Sequence, residues 1–392
     1  MENVCVIFGG RSVEHEVSVI TGLQVIENMD KSLYNPIPLF YSKDGKFYTG
    51  EKLKDFRTFR ENKYKEEGVE VFLKPNYKDF NLYAYEEKGG LFSKTKELVP
   101  YEKIDMVFIA LHGTFGEDGC MEGLFELMQI PYVGCGVMAS AVSMDKVTMK
   151  KVFESEGIPI VDYRYFYRRD YEKDKEKYLN LGDEIGYPII VKPANLGSSV
   201  GISKAKNREE LKESIEVAKN FDKKIILEKC VGNLREINMA VMGYESDLEC
   251  SETEEPVSYS DILTYTEKYE SKSGKTGSKG SKNGNTKTIP ANISKETEDE
   301  IRELALKSFK AIDAAGVSRI DFMLDGDKVY VNEINTIPGS MSFYLWEHKY
   351  NFKELISKLI EIGKKVYKER TENNYSIDTN LFKNTGYGSK LK

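Results

Sequence analysis

"VKPANLGSSVGISK", residues 191–204, combines a lysine with a loop of glycine and serine. The apolar run 187–191 predicts a strand that ends at Lys192, and the apolar pattern resumes at Val200 after Gly197 and two serines. A glycine at a hairpin tip lets backbone N–H groups approach an anion closely, beside the lysine ammonium. The stretch is not a P-loop, because in that motif the lysine follows the glycines. A phosphate-binding hairpin and a tight hairpin on an edge strand are both compatible with this pattern.

The composition is that of an ordinary multidomain protein. A chain of 392 residues exceeds one compact core, so we expect about two or three domains. A net charge of -7 and the lack of a dense basic block predict no nucleic-acid partner. Apolar runs fall short of the ~20 residues of a membrane helix, and the start lacks a signal-type segment, so we expect no membrane association. Five scattered cysteines without CxxC spacing indicate reduced thiols, and hence a cytoplasmic location.

The first third of the chain predicts an α/β domain with a parallel sheet. Residues 3–8 are typical of a buried strand, which runs into a Gly9-Gly10 turn. Apolar residues at helical spacing then predict a helix, namely Val19, Leu23 and Ile26. Aromatic-rich hairpins with turns at 43–46 and 87–90 follow, and then a buried strand at 106–111.

From residue 136 the pattern changes to a smaller α+β unit followed by antiparallel strands. The predicted helices are 137–156, 170–184, 207–219 and 294–314, and the predicted strands include 187–192, 200–202, 224–228 and 329–334. Two segments are low in hydrophobicity. Residues 270–288 are expected to form a mobile surface loop, and the polar tail from about 370 is expected to be poorly packed.

Oxygen-bearing side chains occur at the ends of two strands that a short turn connects. Asp321 precedes the turn 325–327, and Glu333 and Asn335 follow it. If the strands pair across that turn, these side chains converge on one face, since residues two apart share a face. Carboxylate and amide oxygens suit Mg²⁺, which usually keeps substrate phosphates among its ligands. A solvated strand face would show the same residues, so the pattern alone leaves both interpretations open.

Several stretches, taken in order, resemble the D-alanine–D-alanine ligase family of the ATP-grasp superfamily from about residue 3 to about 365. They are "GGRSVEHEVS" (9–18), "LHGTFGEDG" (111–119), "IPYVGCGVMASAVSMDK" (130–146), "VKPANLGSSVGISK", "ILEK" (226–229), "EKY" (267–269) and "RIDFMLDGDKVYVNEINTIPG" (319–339). The resemblance implies a Rossmann-like N-terminal domain with a parallel sheet and a two-lobed ATP-grasp fold. The expected domains are 1–135 (substrate binding), 136–229 (central), 230–368 (C-terminal, with the catalytic centre) and a tail, 369–392.

The resemblance also implies an ATP site. Lys146 and Lys192 would hold the α- and β-phosphates, and Lys268 would reach the γ-phosphate. Ser198 and Ser199 would form a loop that closes over the transferred group. Glu228 would accept from the adenine amino group, and the remaining adenine and ribose contacts would come from Lys229, Cys230, Val231 and Glu236. Asp321, Glu333 and Asn335 would hold two Mg²⁺ ions, with Mn²⁺ as a substitute.

The implied reaction joins two D-alanines for peptidoglycan synthesis, in a cytoplasmic homodimer. The first carboxylate attacks ATP to give an acyl phosphate, which the second amine then attacks. Glu14 would bind the first ammonium in a hydrogen-bonded trio with Ser198 and Tyr269, and His112 would lie beside the substrate. Arg319 and the Gly339 N–H would stabilise the oxyanion. Without the resemblance, Glu14 also fits a first-turn glutamate favoured by the helix dipole, and His112 fits a turn cap.

The chain departs from the family pattern where the second amino acid binds. Tyr344 replaces the serine of the serine-leucine pair expected to bind its carboxylate, while Leu345 is kept. A phenol can still donate, and Ser340 or Ser342 could take over the role. A D-alanine–D-serine ligase and a non-catalytic ATP-binding paralogue are the alternatives. A dehydrogenase is disfavoured, because residues 9–12 lack the G-x-G-x-x-G spacing.

Overall fold

The computed structural model describes residues 1–89, 95–256 and 287–377. These residues form three sheets in chain order, each covered by helices. The mixed α/β architecture confirms the expected fold class, whereas the exact domain boundaries remain predictions. No helix in the described part of the chain is both long and apolar enough to cross a membrane.

The N-terminal sheet has eight strands in the order β6-β5-β4-β3-β2-β1-β7-β8. They are β1 Glu2–Gly9, β2 Tyr34–Tyr41, β3 Phe47–Thr49, β4 Val69–Leu73, β5 Asn81–Lys88, β6 Thr95–Lys103, β7 Met106–Ile109 and β8 Tyr132–Val133. The pairs β2-β1, β1-β7 and β7-β8 are parallel, and the other pairs are antiparallel. The sheet is therefore mixed, with parallel strands on the side that carries the Gly9-Gly10 turn.

The other two sheets are antiparallel and have four strands each. The central sheet, β11-β10-β12-β9, contains β9 Tyr163–Tyr167, β10 Ile189–Pro193, β11 Ser203–Ala205 and β12 Lys224–Lys229. The C-terminal sheet, β14-β13-β15-β16, contains β13 Leu234–Tyr244, β14 Asp247–Glu254, β15 Gly316–Asp325 and β16 Lys328–Asn335. The predicted pairing of β15 with β16 across the turn is confirmed, with Asp321 opposite Glu333.

Helices cover these sheets and also connect them. The first nine are α1 His15–Asn28, α2 Phe56–Arg60, α3 Tyr64–Glu67, α4 Cys120–Met128, α5 Val137–Met144, α6 Lys146–Ser155, α7 Arg168–Tyr171, α8 Lys175–Ile185 and α9 Arg208–Ala218. Two further helices are Lys295–Ala311 and Phe352–Glu372; we call the second the C-terminal helix. Short 3₁₀ segments occur at Glu51–Lys54 and Gly339–Leu345.

Three predicted elements have different bounds in the structure. The predicted helix 137–156 is two helices, because the Asp145 side chain accepts from the Val147 and Thr148 N–H groups and so caps a new helix. The predicted helix 170–184 is interrupted, because α7 ends at Tyr171 and α8 begins at Lys175, where the Asp174 side chain accepts from the Lys177 N–H. The strand predicted at 200–202 begins only at Ser203, since Gly201 has a φ of 74° and the loop extends through it.

Each sheet has its own apolar core, and the N-terminal core is completed from the other end of the chain. Four residues of the C-terminal helix pack into it, namely Leu355, Ile356, Leu359 and Ile360. Gly363 lies against β7 and β8 so closely that a Cβ would be 2.6 Å from the Tyr132 carbonyl oxygen. The N-terminal sheet and the last described helix are therefore one packed unit.

Candidate active site

A cleft opens between the central and C-terminal sheets. It encloses about 780 Å³ of empty space, part of it open to solvent. Its lining includes Glu333, expected as a metal ligand, and nine of the residues expected at an ATP site, namely Lys146, Lys192, Ser198, Ser199, Glu228, Lys229, Cys230, Val231 and Glu236. Its apolar lining, not anticipated from the sequence, comes from Ile190, Leu196, Ile202, Leu234 and Met323.

Two lysines reach the cleft from different elements. Lys146 opens α6, and its Nζ donates to the Leu196 carbonyl (3.0 Å) and lies 3.5 Å from a Glu333 carboxylate oxygen. Lys192 lies near the end of β10, with its Nζ 2.7 Å from Glu228 Oε2. Burial alone would lower the pKa of Lys192, but the carboxylates of Glu228 and Glu333 raise it. Both ammonium groups are therefore held on the cleft wall, as phosphate binding requires.

Glu228 is fully enclosed and is held by a residue that sequence reasoning missed. Its Oε1 is 3.1 Å from the Nζ of Lys150, whose side chain exposes no surface. Burial would raise the pKa of Glu228, but Lys150 and Lys192 lower it, so the carboxylate stays ionised. The spacing offered a signal for Lys150, since it lies one helical turn after Lys146 on α6.

The serine loop contacts the N-terminal domain. The Ser198 hydroxyl donates to Glu14 Oε1, and both side chains are buried. Ser198 and Ser199 have φ angles of 55° and 59°, so the loop turns sharply at this point. A Cβ at Gly197 would lie 2.8 Å from Glu14 Oε2, which explains why a glycine precedes the serines. The structure thus brings together two of the three residues of the expected trio.

A hydrogen-bonded network links the N-terminal turn to the segment after β16. The Ser12 hydroxyl donates to the His112 carbonyl (2.7 Å), and His112 Nε2 is 2.9 Å from Thr21 Oγ1. Thr21 in turn accepts from the Ser340 N–H at 3.2 Å. Thr21 was not anticipated, since a threonine on a helix carries no motif. The network brings the expected substrate residues His112 and Ser340 to the same junction as Glu14.

The C-terminal sheet brings the expected oxyanion and metal residues together. Arg319 donates to both oxygens of Asp321, at 2.6 and 2.8 Å. Asn335 Nδ2 donates to Asp321 Oδ2 at 3.2 Å, and Glu333 pairs with Asp321 in register. Across the described ranges no group of three or more His, Cys, Asp or Glu side chains could hold a metal. A metal here would therefore need the amide oxygen of Asn335 and the substrate phosphates, which agrees with the preferences of Mg²⁺.

Tyr344 is bound to a carboxylate that was not anticipated from the sequence. Its hydroxyl donates to Glu254 Oε2 at 2.8 Å, and Lys287 Nζ lies 2.6 Å from Glu254 Oε1 and 3.7 Å from the tyrosine ring centre. Burial and the Glu254 carboxylate raise the pKa of Tyr344. A phenol has a single hydrogen, and in this structure Glu254 accepts it.

The other residues expected in the site lie in the 3₁₀ segment Gly339–Leu345 or outside the described residues. Gly339 begins the 3₁₀ segment, and Ser340 is half-buried. Ser342 and Leu345 expose none of their surface, and Leu345 belongs to the N-terminal core. Lys268 and Tyr269 lie outside the described residues, as do most of the expected loop 270–288 and the tail beyond 377.

A cleft between two antiparallel sheets, lined by lysines and acidic side chains, is typical of the ATP-grasp class of ligases. Residues 3–135 match the family model "D-ala D-ala ligase N-terminus", and residues 152–361 match "D-ala D-ala ligase C-terminus". The chain therefore belongs to the D-alanine–D-alanine ligase family, and the resemblance inferred from the sequence is confirmed.

Relatives of known name match over nearly the full length. The D-alanine–D-alanine ligase of Thermosipho africanus is 40% identical over 385 residues, which cover 97% of this chain and 98% of the relative. That of Thermosipho melanesiensis is 39% identical over 384 residues, with 98% and 99% covered. Among solved structures, the VanG D-Ala:D-Ser ligase of Enterococcus faecalis has a TM-score of 0.75 at 30% identity, with 92% of this chain and 99% of that chain covered. The D-alanine-D-alanine ligase of Coxiella burnetii has a TM-score of 0.77 at 26% identity, with 95% and 96% covered.

Proposed function

We propose that this protein joins two D-alanines into D-alanyl-D-alanine at the expense of ATP, for peptidoglycan precursors. The full-length family match supports the reaction. The observation that carries it in the structure is the Ser198–Glu14 hydrogen bond, which joins the serine loop of the nucleotide cleft to the turn expected to bind the first amino acid. Relatives that carry the name D-alanine–D-alanine ligase favour D-alanine over D-serine as the second substrate.

The first step forms an acyl phosphate. Glu14 binds the ammonium of the first D-alanine, so that the carboxylate of that D-alanine faces the γ-phosphate. Lys146 and Lys192 neutralise and align the phosphates, which is the main source of acceleration in phosphoryl transfer. The carboxylate oxygen bonds to the γ-phosphorus, the bond to the β-phosphate oxygen breaks, and ADP leaves. Ser198 and Ser199 cover the product, because an acyl phosphate hydrolyses when it is exposed to water.

The second step forms the peptide bond. The free amine of the second D-alanine attacks the acyl carbonyl to give a tetrahedral intermediate. As it collapses, the bond from carbon to the phosphate oxygen breaks, and phosphate leaves with the proton that the nitrogen loses. Arg319 and the Gly339 N–H stabilise the negative oxygen of that intermediate. Ser340 is the candidate for binding the second carboxylate, because it is half-buried while Ser342 and Leu345 expose no side chain.

The family uses ATP together with a divalent metal, and we propose Mg²⁺, with two ions bound. Asp321, Glu333 and Asn335 would hold them, since Asp321 pairs with Glu333 across β15 and β16 and Asn335 contacts Asp321. When bound, the ions neutralise charge on the transferring phosphoryl group. We also propose a cytoplasmic homodimer and the domain division given above; light scattering after gel filtration would measure the oligomeric state.

Coupled ADP release tests the function directly. The purified protein is given Mg·ATP with D-alanine, L-alanine, D-serine or D-lactate, and ADP is measured for each. We expect release with D-alanine above all the others, and a dipeptide product by mass spectrometry. ADP release with L-alanine but not D-alanine would overturn the substrate assignment, and nucleotide binding without any release would favour a non-catalytic paralogue.

A further inference from the structure

A buried lysine next to the cleft has no role in the reaction described above. Lys150 Nζ is 3.1 Å from Glu228 Oε1, while Lys192 Nζ is 2.7 Å from Glu228 Oε2. The Glu228 carboxylate therefore lies between two ammonium groups. Of these, Lys192 lines the cleft, whereas Lys150 is absent from its described lining and exposes no side-chain surface. The direct ion-pair route from Lys150 to the cleft therefore runs through Glu228.

The cost of burying Lys150 makes its position informative. An ammonium group without solvent is strongly unfavourable unless a counter-charge lies beside it. Burial lowers the pKa of Lys150, and the Glu228 carboxylate in contact with it is the main group that opposes this, with a smaller effect from Glu333. Lys192 is different, because Glu333 and Glu236 from the cleft also attract it. The two lysines are therefore not equivalent: Glu228 is the main counter-charge of Lys150, whereas Lys192 is also attracted by other carboxylates.

Strand pairing fixes where the carboxylate can point. Glu228 lies on β12 opposite Ile190 of β10 and Tyr163 of β9. Lys150 Nζ is 5.8 Å from the centre of the Tyr163 ring, so ring and carboxylate confine it together. Lys150 thus fixes Oε1 from α6, and Oε2 is left on the side of the cleft-lining Lys192.

We propose that Lys150 is a positioning residue that makes Glu228 select a 6-aminopurine over a 6-oxopurine nucleotide. The proposal rests on the proposed function in one respect, namely that a nucleotide binds in this cleft. When phosphates draw Lys192 away, Lys150 remains as the counter-charge that keeps Glu228 ionised and in place. An ionised carboxylate only accepts hydrogen bonds. It therefore pairs with an amino group at C6 and repels a carbonyl oxygen there.

Calorimetric titration with ADP and IDP tests this selection, because these nucleotides differ at C6 and neither needs D-alanine. We expect the unaltered protein to bind ADP at least about tenfold more tightly than IDP. Lys150→Met should weaken ADP binding at least about tenfold and reduce the preference to about threefold or less. A loss of fold alone would weaken both nucleotides equally and would leave the ratio unchanged.

Lys151→Met is the matched control on the same helix, because Lys151 is exposed and donates to the Tyr165 hydroxyl at 2.9 Å. It should bind both nucleotides as the unaltered protein does. If Lys150→Met does not fold, Glu228→Gln is compared with Glu228→Gln/Lys150→Met. Equal ADP affinities support action through Glu228, and a further loss in the double variant overturns it.

Two other results would overturn the proposal: an unaltered protein that does not distinguish ADP from IDP, or a folded Lys150→Met variant with unchanged preference. These outcomes are independent of the ligase reaction. A protein that binds ADP selectively but releases no ADP with D-alanine would contradict the proposed function alone.

Discussion

Arg319 is a cation that the fold orients before any substrate arrives. Its guanidinium donates to both Asp321 oxygens, and its side chain is 20% exposed. Burial would lower the pKa of Arg319, but Asp321 raises it well above the usual range. A donor that is already charged and fixed needs little reorganisation in the transition state, which is the property an oxyanion site requires.

Removal of the guanidinium should therefore impair catalysis far more than binding. We expect Arg319→Ala to lower kcat by about 10²–10³, equivalent to ~3–4 kcal/mol. Steady-state ADP release measures the effect. Arg57→Ala is the control, because the exposed Arg57 only pairs with Asp55, and its kcat should stay unchanged. An Arg319→Ala variant with near-normal kcat would remove Arg319 from the mechanism.

Tyr344 stands where the family pattern has a serine, and a substitution can test whether it binds the second D-alanine. Because its hydroxyl donates to the buried Glu254, Tyr344→Phe should leave that carboxylate one donor short and cost about 1–3 kcal/mol of stability. We expect a lower Tm and a KM for the second D-alanine within about threefold of normal. A large increase in KM without a change in Tm would show instead that the phenol binds the substrate.

At the scale of elements, a buried acid lies at the junction of α4 and α5. Glu122 on α4 is 1% exposed, and the Ser140 hydroxyl of α5 donates to it at a long 3.4 Å. Burial raises the pKa of Glu122 from 4.5 to about 8. The folded protein therefore holds this group protonated at neutral pH, whereas the unfolded chain ionises it.

This difference makes stability depend on pH. A raised pKa in the folded state means that the free energy of unfolding falls as pH rises from 4.5 towards about 8, since only the unfolded chain then loses the proton. Glu122→Gln removes the titration, so its free energy of unfolding relative to the unaltered protein should rise between pH 5 and pH 8, by on the order of a few kcal/mol. The difference in Tm between the two proteins should grow in the same direction. The exposed Glu184→Gln is the control. An advantage that does not change with pH would contradict the assignment.

The sequence predicted the elements well where a local pattern determines them. The β15–β16 pairing followed from alternation and a turn signal. The break at Asp145 was missed, because an aspartate inside an apolar helical pattern acts as a cap only when its side chain turns back to the next N–H groups. The pairing of Lys150 with Glu228 was missed for another reason: two residues far apart in sequence meet only after α6 packs on the central sheet.

At the scale of the whole molecule, the site depends on contacts between distant segments. Ser198 meets Glu14 and Thr21 meets Ser340, and no local pattern encodes either distance. The resemblance to the family predicted Glu14, Ser198 and Ser340 as site residues. Thr21 and Glu254 belong to no motif, so their contacts could be identified only from the folded structure. The C-terminal helix also packs on the N-terminal sheet, although the two are far apart in sequence.

Gly363 is a point where the C-terminal helix approaches the N-terminal sheet closely. A Cβ there would meet the Met106 side chain and the Tyr132 carbonyl, each at 2.6 Å. Gly363→Ala should therefore push the C-terminal helix away and cost about 1–3 kcal/mol, measured by urea unfolding. Lys368→Ala, at an exposed position of the same helix, should change stability by less than about 0.5 kcal/mol. Equal effects would mean that the helix does not depend on this close approach.

This packing of the C-terminal helix on the N-terminal sheet has a consequence for synthesis of the chain on the ribosome. The ribosome makes the strands of the first sheet early, but the residues that finish covering them belong to Phe352–Glu372. Until those residues have been synthesised, the apolar surface of the first sheet is not fully covered, and a chaperone can bind it. Synthesis of Phe352–Glu372, rather than emergence of the first segment, then sets the earliest time at which the N-terminal portion reaches its final state.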